Sequence, residues 1–214
     1  MKRLLLLLAL AGAIAAVAIP TASAAVRVLP LSAHPNGWNY DQWHTNYIRR
    51  ALQKDLRSLH SLFAIRNGTC GQKVGQARAW LLPISVDGSL SATCRIRPGT
   101  RLALTTGGIF SLYAGPEKLN SDIDHVWSDL VSTSLSVDGV SLRPHLLKTP
   151  FAHARMPYFN AQIFGVSKTL VSFIARDYFA LLSPLSPGRH TVTTSATFRN
   201  PDETFTMTLR LNVR

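Results

Sequence analysis

The sequence is poor in acidic residues, and glutamate is almost absent. Glu117 and Glu203 are the only glutamates beside nine aspartates, whereas lysine and arginine together number 23. A glycosidase needs two carboxyl groups that face each other across the scissile bond, so the raw material for that chemistry is thin. The formal charge of +12 favours contact with anionic polymers, lipid head groups or nucleic acid, although it could also serve solubility alone.

Sequence motifs of several enzyme classes are absent as well. The chain contains no Gly-x-Ser-x-Gly nucleophile elbow and no glycine-rich phosphate loop. Ser, His and Asp residues from separate loops could still meet in space, so a secreted hydrolase with a His/Asp site remains the alternative to a protein without catalytic activity. No cofactor is predicted, and no specific nucleic-acid motif is present.

Long apolar runs are confined to the N-terminus. Lys2 and Arg3 precede an apolar stretch at residues 4–19, and Ala22-Ser23-Ala24 supplies small residues for cleavage. This order predicts a signal peptide at 1–24 and a single mature domain at 25–214, either secreted or in the periplasm or cell envelope. An uncleaved membrane anchor is the alternative, but the run is short for the ~20 residues of a membrane-spanning helix. No transmembrane segment is predicted after cleavage.

Only two cysteines occur, Cys70 and Cys94. In an exported chain they predict a single disulfide bond, because the compartment outside the cytoplasm is oxidising. A bond across this loop would stabilise the fold by roughly 3–4 kcal/mol. It would also remove both thiols as nucleophiles or as soft metal ligands.

Alternating apolar residues dominate the last part of the chain. Residues 171–182 and 190–198 predict two β-strands, and residues 204–213 predict a final strand. The Pro/Gly connection at 183–188 excludes regular structure, because proline fixes φ and lacks an N–H. We expect His190 to anchor this connection through a hydrogen bond rather than to act as a site residue.

Shorter strands and turns fill the middle of the chain. Asp87-Gly88 and Asp138-Gly139 predict hairpin turns, whereas Gly107-Gly108 is expected to interrupt a strand. Residues 115–129 predict a short helix or a surface loop, and residues 144–165 are less regular. Several short strands joined by Gly, Pro and Asp-Gly turns predict a mainly β fold, an antiparallel β-sandwich of jelly-roll or immunoglobulin-like type.

One long amphipathic helix is predicted near the start of the mature chain. Apolar residues between positions 40 and 63 recur on one broad arc of a helix, and Asn39 or Asp41 is a candidate N-cap. His44 and Asp55 project into this arc. Each therefore needs a polar partner or must lie where the arc meets solvent.

Two groups of side chains are candidate sites. The first group contains one aromatic and three basic residues of the predicted helix: Trp43, Arg50, Lys54 and Arg57. They could bind an anionic ligand, although a solvated helix face is the more frequent explanation of such a pattern. The second group offers oxygen and imidazole ligands for a metal ion: Asp122, Asp124 and His125. Its spacing matches no EF-hand loop or zinc-binding helix, and a solvated acidic loop is the alternative.

Several segments together resemble a family of uncharacterised exported bacterial β-rich proteins. The segments are Tyr40-x-x-Trp43, Cys70-Gly71-Gln72 with Trp80-Leu81-Leu82-Pro83, Cys94-Arg95-Ile96-Arg97-Pro98-Gly99-Thr100, Val137-Asp138-Gly139 and Ser183-Pro184-Leu185-Ser186-Pro187-Gly188-Arg189-His190. The chain departs from the family pattern in having fewer tryptophans in the helix. The resemblance implies a compact exported β-rich domain and supplies no catalytic residue. With the basic charge, we expect a non-catalytic binding or structural domain for an anionic extracellular or envelope partner.

Overall fold

A computed structural model of the chain describes residues 25–53, 65–66, 69–70, 72–73, 79–82, 89–112, 116–199 and 202–214. Within these residues the fold is mainly β and contains two larger sheets. The predicted signal peptide and the part of the predicted helix beyond Gln53, including Asp55, lie outside the described residues. No helix within the described ranges is long and apolar enough to span a bilayer.

Short helices and many strands alternate along the described chain. The helical elements are a 3-10 turn (Pro35–Gly37), α1 (Tyr40–Leu52), α2 (Pro116–Trp127) and α3 (Tyr158–Ile163). The strands of the first half are β1 (Ile65–Arg66), β2 (Thr69–Cys70), β3 (Gln72–Lys73), β4 (Ala79–Leu81), β5 (Ser89–Ile96) and β6 (Arg101–Leu112). Those of the second half are β7 (Leu130–Val137), β8 (Val140–Ser141), β9 (His145–Lys148), β10 (Ala152–Arg155), β11 (Leu170–Leu182), β12 (Gly188–Phe198) and β13 (Glu203–Val213).

A six-stranded sheet and a five-stranded sheet form the body of the protein. The six-stranded sheet has the order β10-β11-β6-β4-β3, and β9 pairs with a later part of β11 than β10 does. The five-stranded sheet has the order β5-β13-β12-β7-β8, and β1 and β2 form a separate small ladder. Most of the pairs are antiparallel as predicted, but β4 with β6 and β5 with β13 are parallel.

The hairpin predicted at Asp87-Gly88 is wrong, because the strands on either side of it belong to different sheets. β4 pairs with β3 and β6, whereas β5 pairs with β13. Cys94 and Ile96 of β5 are buried in the cluster between the two sheets. The alternating pattern of β5 is satisfied beside any neighbour that keeps these two side chains inward, so the pattern alone does not select the partner strand.

Hydrophobic clusters cover both faces of the six-stranded sheet. Successive side chains of a strand point to opposite faces. In β11, Phe173 and Phe179 therefore pack in the cluster with α1, whereas Ala180 and Leu182 pack in the cluster shared with the five-stranded sheet. Ile174 lies with the apolar side chains of α2 in a third cluster. The sheet is thus a central layer, with α1 on one side and the five-stranded sheet and α2 on the other.

Helix α1 begins at a capping box. Asn39 Oδ1 accepts a hydrogen bond from the Gln42 amide at 2.9 Å, and Gln42 Oε1 accepts one from the Asn39 amide at 3.0 Å. This arrangement satisfies two donors that a helix start otherwise leaves free. The buried side chains Tyr40, Trp43 and Tyr47 recur at the spacing of one helix face. The predicted start of the helix and its N-cap at Asn39 are confirmed.

The sequence predicts that Gly107-Gly108 interrupts a strand, and this prediction is wrong, because β6 runs through the glycine pair. A Cβ at Gly107 would lie 2.6 Å from the Cβ of Ala196 in β12, and one at Gly108 would lie 1.9 Å from the Cβ of Asp177 in β11. Both contacts are far closer than real carbon atoms approach. The glycines are therefore required by the close approach of neighbouring chain, and β6 continues through them.

The remaining predictions for the second half are mostly confirmed. β11, β12 and β13 match the three predicted strands, and the polar stretch 115–129 contains α2. Asp138 and Gly139 form the tight turn between β7 and β8 with φ of 53° and 79°, as expected of a hairpin. The less regular stretch 144–165 contains two short strands and α3.

Candidate binding cleft

A cleft of about 410 Å³ opens between β7 of the five-stranded sheet and β11 of the six-stranded sheet. Its lining consists of Trp127 at the end of α2, residues 130–134 of β7, residues 142–144 after β8, and Tyr178 of β11. None of these lining residues is acidic. The volume falls in the range of small-molecule sites, and it is also sufficient for a few side chains of a larger partner.

An aromatic pair contributes the apolar part of the cleft. The rings of Trp127 and Tyr178 have centroids 5.8 Å apart. The guanidinium carbon of Arg176 lies 4.5 Å from the centre of the Trp127 ring, and its Nη1 lies 3.2 Å from Asp124 Oδ1. Lys148 Nζ lies 3.5 Å from the same carboxylate oxygen. Trp127 is held in place by the guanidinium of Arg176 over its ring, and Arg176 is itself held by its ion pair with Asp124.

Arg143 supplies the cation that lines the cleft. Its side chain is exposed, and it makes no hydrogen bond or ion pair within the described ranges. A guanidinium presents five donors in a planar fork that matches a carboxylate or a phosphate. Val131 and Leu146, which are 54% and 44% exposed, add apolar surface beside the cleft. The arrangement suits a ligand with an anionic group next to an apolar one.

The four residues predicted to bind an anionic ligand on the helix have different positions. Trp43 is 1% exposed and donates its indole N–H to the Pro35 carbonyl at 3.0 Å, so it belongs to the core. Arg50 is half-buried in the last turn of α1. Lys54 and Arg57 lie outside the described residues. The buried tryptophan cannot take part in a surface site in this conformation.

The three predicted metal ligands lie on α2 without forming a ligand group. Asp122 Oδ1 lies 3.2 Å from Lys118 Nζ, and Asp124 is held by the two basic side chains behind Trp127. His125 is exposed in the last turn. Among the described residues, no three His, Cys, Asp or Glu side chains come together as metal ligands would. The metal site therefore remains a prediction without support from this geometry.

The histidine that enters the apolar arc of α1 has a partner in the central sheet. His44 Nε2 lies 2.9 Å from Asp177 Oδ2, and both side chains are almost completely buried. The ring of His44 also packs against Phe179. Burial, with a further contribution from the Asp177 charge, raises the pKa of Tyr47 well above its ordinary value. This contact is sealed under α1, away from the cleft.

His190 anchors the Pro/Gly connection, as predicted. Its Nδ1 lies 2.7 Å from Asp138 Oδ2, and its Nε2 lies 2.9 Å from the Ser186 carbonyl oxygen and 3.4 Å from the Ser186 hydroxyl. Asp138 Oδ1 also accepts a hydrogen bond from the Thr191 amide at 2.7 Å. These bonds tie the connection before β12 to the turn between β7 and β8.

The two cysteines lie on neighbouring strands. β2, which contains Cys70, packs against β5, in which Cys94 is buried. This adjacency is compatible with the predicted disulfide bond, which stays a prediction.

Sequence reasoning did not identify the residues that line the cleft. Trp127 stands in a polar stretch, Tyr178 continues an apolar run, and Arg143 is one of many scattered arginines. A tryptophan at the end of a stretch rich in polar residues is the one local signal that could have pointed to the site. The three residues are far apart in the chain, and only the packing of α2 and the two sheets brings them together.

Comparisons with known proteins add little to this description. No protein-family model matches the chain, and no curated protein matches it. Among solved structures, the solution structure of amebosin is similar at 14% identity, covering 61% of this chain and 100% of that chain with a TM-score of 0.21. A TM-score this low carries no argument about fold or function.

Proposed function

We propose that the chain is an exported β-sandwich protein that binds an anionic extracellular or envelope partner and has no catalytic activity. The observation that carries the proposal is the cleft between β7 and β11. Arg143 lines it without a partner among the described residues, and no acidic side chain is part of its lining. The formal charge of +12, or +12 − 2 = +10 after Lys2 and Arg3 are removed with the signal peptide, would attract an anionic partner over a longer range.

Export and the sandwich architecture complete the proposal. The order of basic, apolar and small residues at 1–24 supports cleavage of a signal peptide and passage into an oxidising compartment, where Cys70 and Cys94 would pair. The hydrophobic cluster shared by the two larger sheets supports the sandwich. A cleft that is already formed before the partner arrives suits a binding module, because less ordering is then required on binding.

The proposal is tested by measuring binding to three anionic probes: polyglutamate, alginate and vesicles that contain phosphatidylglycerol. The variant is Arg143→Glu, and the matched control is Arg95→Glu on β5, at the opposite edge of the same sheet. Both variants change the net charge equally, so general attraction falls equally in both. We expect Arg143→Glu alone to weaken binding of at least one probe by roughly tenfold, the loss of one charge-assisted contact. No binding of any probe, or equal losses in both variants, would contradict the proposal.

A secreted hydrolase is the second candidate, and one arrangement favours it. Ser186, His190 and Asp138 follow the order of a catalytic triad, with a hydroxyl, an imidazole and a carboxylate in line. However, His190 Nε2 lies closer to the Ser186 carbonyl oxygen than to its hydroxyl, so both ring nitrogens face acceptors. A nitrogen that donates its proton to a carbonyl cannot take one from serine. Hydrolysis of nitrophenyl esters that disappears in Ser186→Ala would establish this candidate over the first.

A further inference from the structure

We propose that the partner of the cleft is an extended acidic polypeptide segment that adds a strand to the free edge of β7. This inference rests on the proposed function, since it specifies the chemistry of the anionic partner. Such strand addition draws affinity from main-chain hydrogen bonds and specificity from the side chains that alternate along the added segment.

The lining of the cleft shows that a strand edge faces it. Residues 130–134 are consecutive, yet all five contribute to the lining. The pairing with β12 shifts register at Val131, which forms a bulge and interrupts the alternation of side chains there. Residues 132–134 are regularly paired, so their side chains alternate between the two faces and the feature that they share is their backbone edge. This regular part of the edge is about 10 Å long at the rise of a β-strand.

That edge has no partner strand within the described ranges. β7 pairs with β12 on one side, and on the other β8 and the following Leu142 cover residues 135–137. The Leu142 amide donates to the Leu135 carbonyl at 2.9 Å, so the backbone polar groups of Leu135 point toward the β8 side. Alternation along a strand gives Thr133 the same direction. The amide and carbonyl of Thr133 therefore point into the open side, where an added strand would bond them.

The edge carries few of the devices that protect exposed strands. Natural edge strands are blunted by lysine, proline, an inward charge or a β-bulge, and β7 has a bulge at Val131. The sequence at 130–134, Leu-Val-Ser-Thr-Ser, contains no charged residue and no proline. On β10, the edge of the other sheet, Arg49 Nε donates to the His153 carbonyl at 3.0 Å and so occupies a main-chain acceptor. The edge of β7 is thus open, whereas that of β10 is partly occupied.

Side chains around the edge specify the chemistry of the added segment. Tyr178 and Leu146 are register partners on neighbouring strands, and with Trp127 they form an apolar surface for every second side chain of a peptide. Arg143 offers a cation for an acidic residue. A second copy of this chain is disfavoured as the occupant, because each exported copy keeps a formal charge of +12 − 2 = +10 after Lys2 and Arg3 are removed with the signal peptide. A polysaccharide could pair with Arg143 but would not continue the main-chain ladder.

The test uses a blocked, fluorescently labelled hexapeptide in which glutamate and valine alternate, and binding is followed by anisotropy. Two isomers carry N-methyl groups on either the three valines or the three glutamates. Only alternate residues of an added strand bond to the edge, so one isomer should bind at least about tenfold more weakly, as expected for two lost hydrogen bonds. The other isomer should bind within about twofold of the parent peptide, because its methyl groups point away from β7.

Equal affinities of the two isomers, whether high or low, would overturn strand addition. If the two isomers bind equally but Arg143→Glu weakens binding of the parent peptide or alginate more than Arg95→Glu does, the proposed binding of an anionic partner still holds. Only the proposal of strand addition is then overturned. Alginate binding without peptide binding would assign the cleft to an acidic glycan and overturn this inference. A dimer in sedimentation experiments that the peptide does not dissociate would assign the edge to a second copy and overturn it as well. A hexapeptide in which lysine replaces each glutamate is the control for charge. It should not bind, and binding equal to that of the parent peptide would contradict the requirement for an acidic segment.

Discussion

The buried contact between α1 and the central sheet leads to a sharp prediction about stability. His44 and Asp177 are each almost fully buried, and their closest atoms are 2.9 Å apart. Both ring nitrogens of His44 and the second oxygen of Asp177 have no hydrogen-bond partner among the described residues, so the 2.9 Å contact is a close approach without the alignment of a hydrogen bond. Each side chain therefore depends on the other for compensation of its polarity. Replacing His44 with leucine would leave a carboxylate unpaired under a helix.

The expected cost follows from that geometry. Removing one partner of a buried pair destabilises proteins by about 3–5 kcal/mol, because the remaining group stays buried without compensation. For a chain of this size that corresponds to a fall in the melting temperature of roughly 6–20 °C. Adding Asp177→Asn to His44→Leu removes the orphaned charge and leaves a neutral amide. The double variant should recover about 2 kcal/mol relative to His44→Leu, since an unpaired neutral group costs only about 1–3 kcal/mol.

Urea unfolding followed by circular dichroism and by tryptophan fluorescence measures these differences. Trp38 and Trp43 have ring centroids 5.0 Å apart at the start of α1, so their fluorescence reports on whether the helix remains docked. The comparison of both single variants with the double variant isolates the coupling between the two side chains. A cost below about 1 kcal/mol for His44→Leu, or a double variant less stable than that single one, would refute the reasoning.

Three further predictions concern the stability of the fold. Gly108→Ala should prevent folding or lower stability by several kcal/mol, as measured by thermal unfolding, because its Cβ would overlap that of Asp177. Asn39→Ala should cost about 1 kcal/mol in the same assay by removing the capping box of α1. Burial raises the pKa of Tyr40 from 10.0 to about 12, so the contribution of Tyr40 to stability is complete below pH 10.0 and is lost as the pH rises through about 12. Phenolate absorbance should then show Tyr40 and Tyr47 ionising only as the protein unfolds, and full ionisation near pH 10.0 in the folded state would contradict their burial.

The sequence predicts most successfully where local pattern and burial agree. β11, β12 and β13 alternate clearly and are separated by Pro- or Asp-containing turns, so neighbouring residues determine their limits. The start of α1 is likewise encoded locally, in Asn39 and the apolar residues that follow. His44 could be recognised as needing a partner, but nothing local indicates that the partner is Asp177.

The errors arise where distant parts of the chain decide the structure. The glycines of β6 resemble a break in the sequence, but they admit Ala196 and Asp177, which lie far along the chain. The partner of β5 is the last strand, and no turn signal can encode such a pairing. The cleft could not be predicted for the same reason, since Arg143, Trp127 and Tyr178 meet only through tertiary packing.

Amide hydrogen exchange tests the central claim most directly. The account predicts that the alternating acidic hexapeptide slows exchange at residues 130–134, above all at Thr133, and leaves α1 around Arg50 unchanged. Protection confined to α1, or unchanged exchange across β7 at saturating peptide, would contradict the claim that the open edge of β7 is where this protein receives its partner.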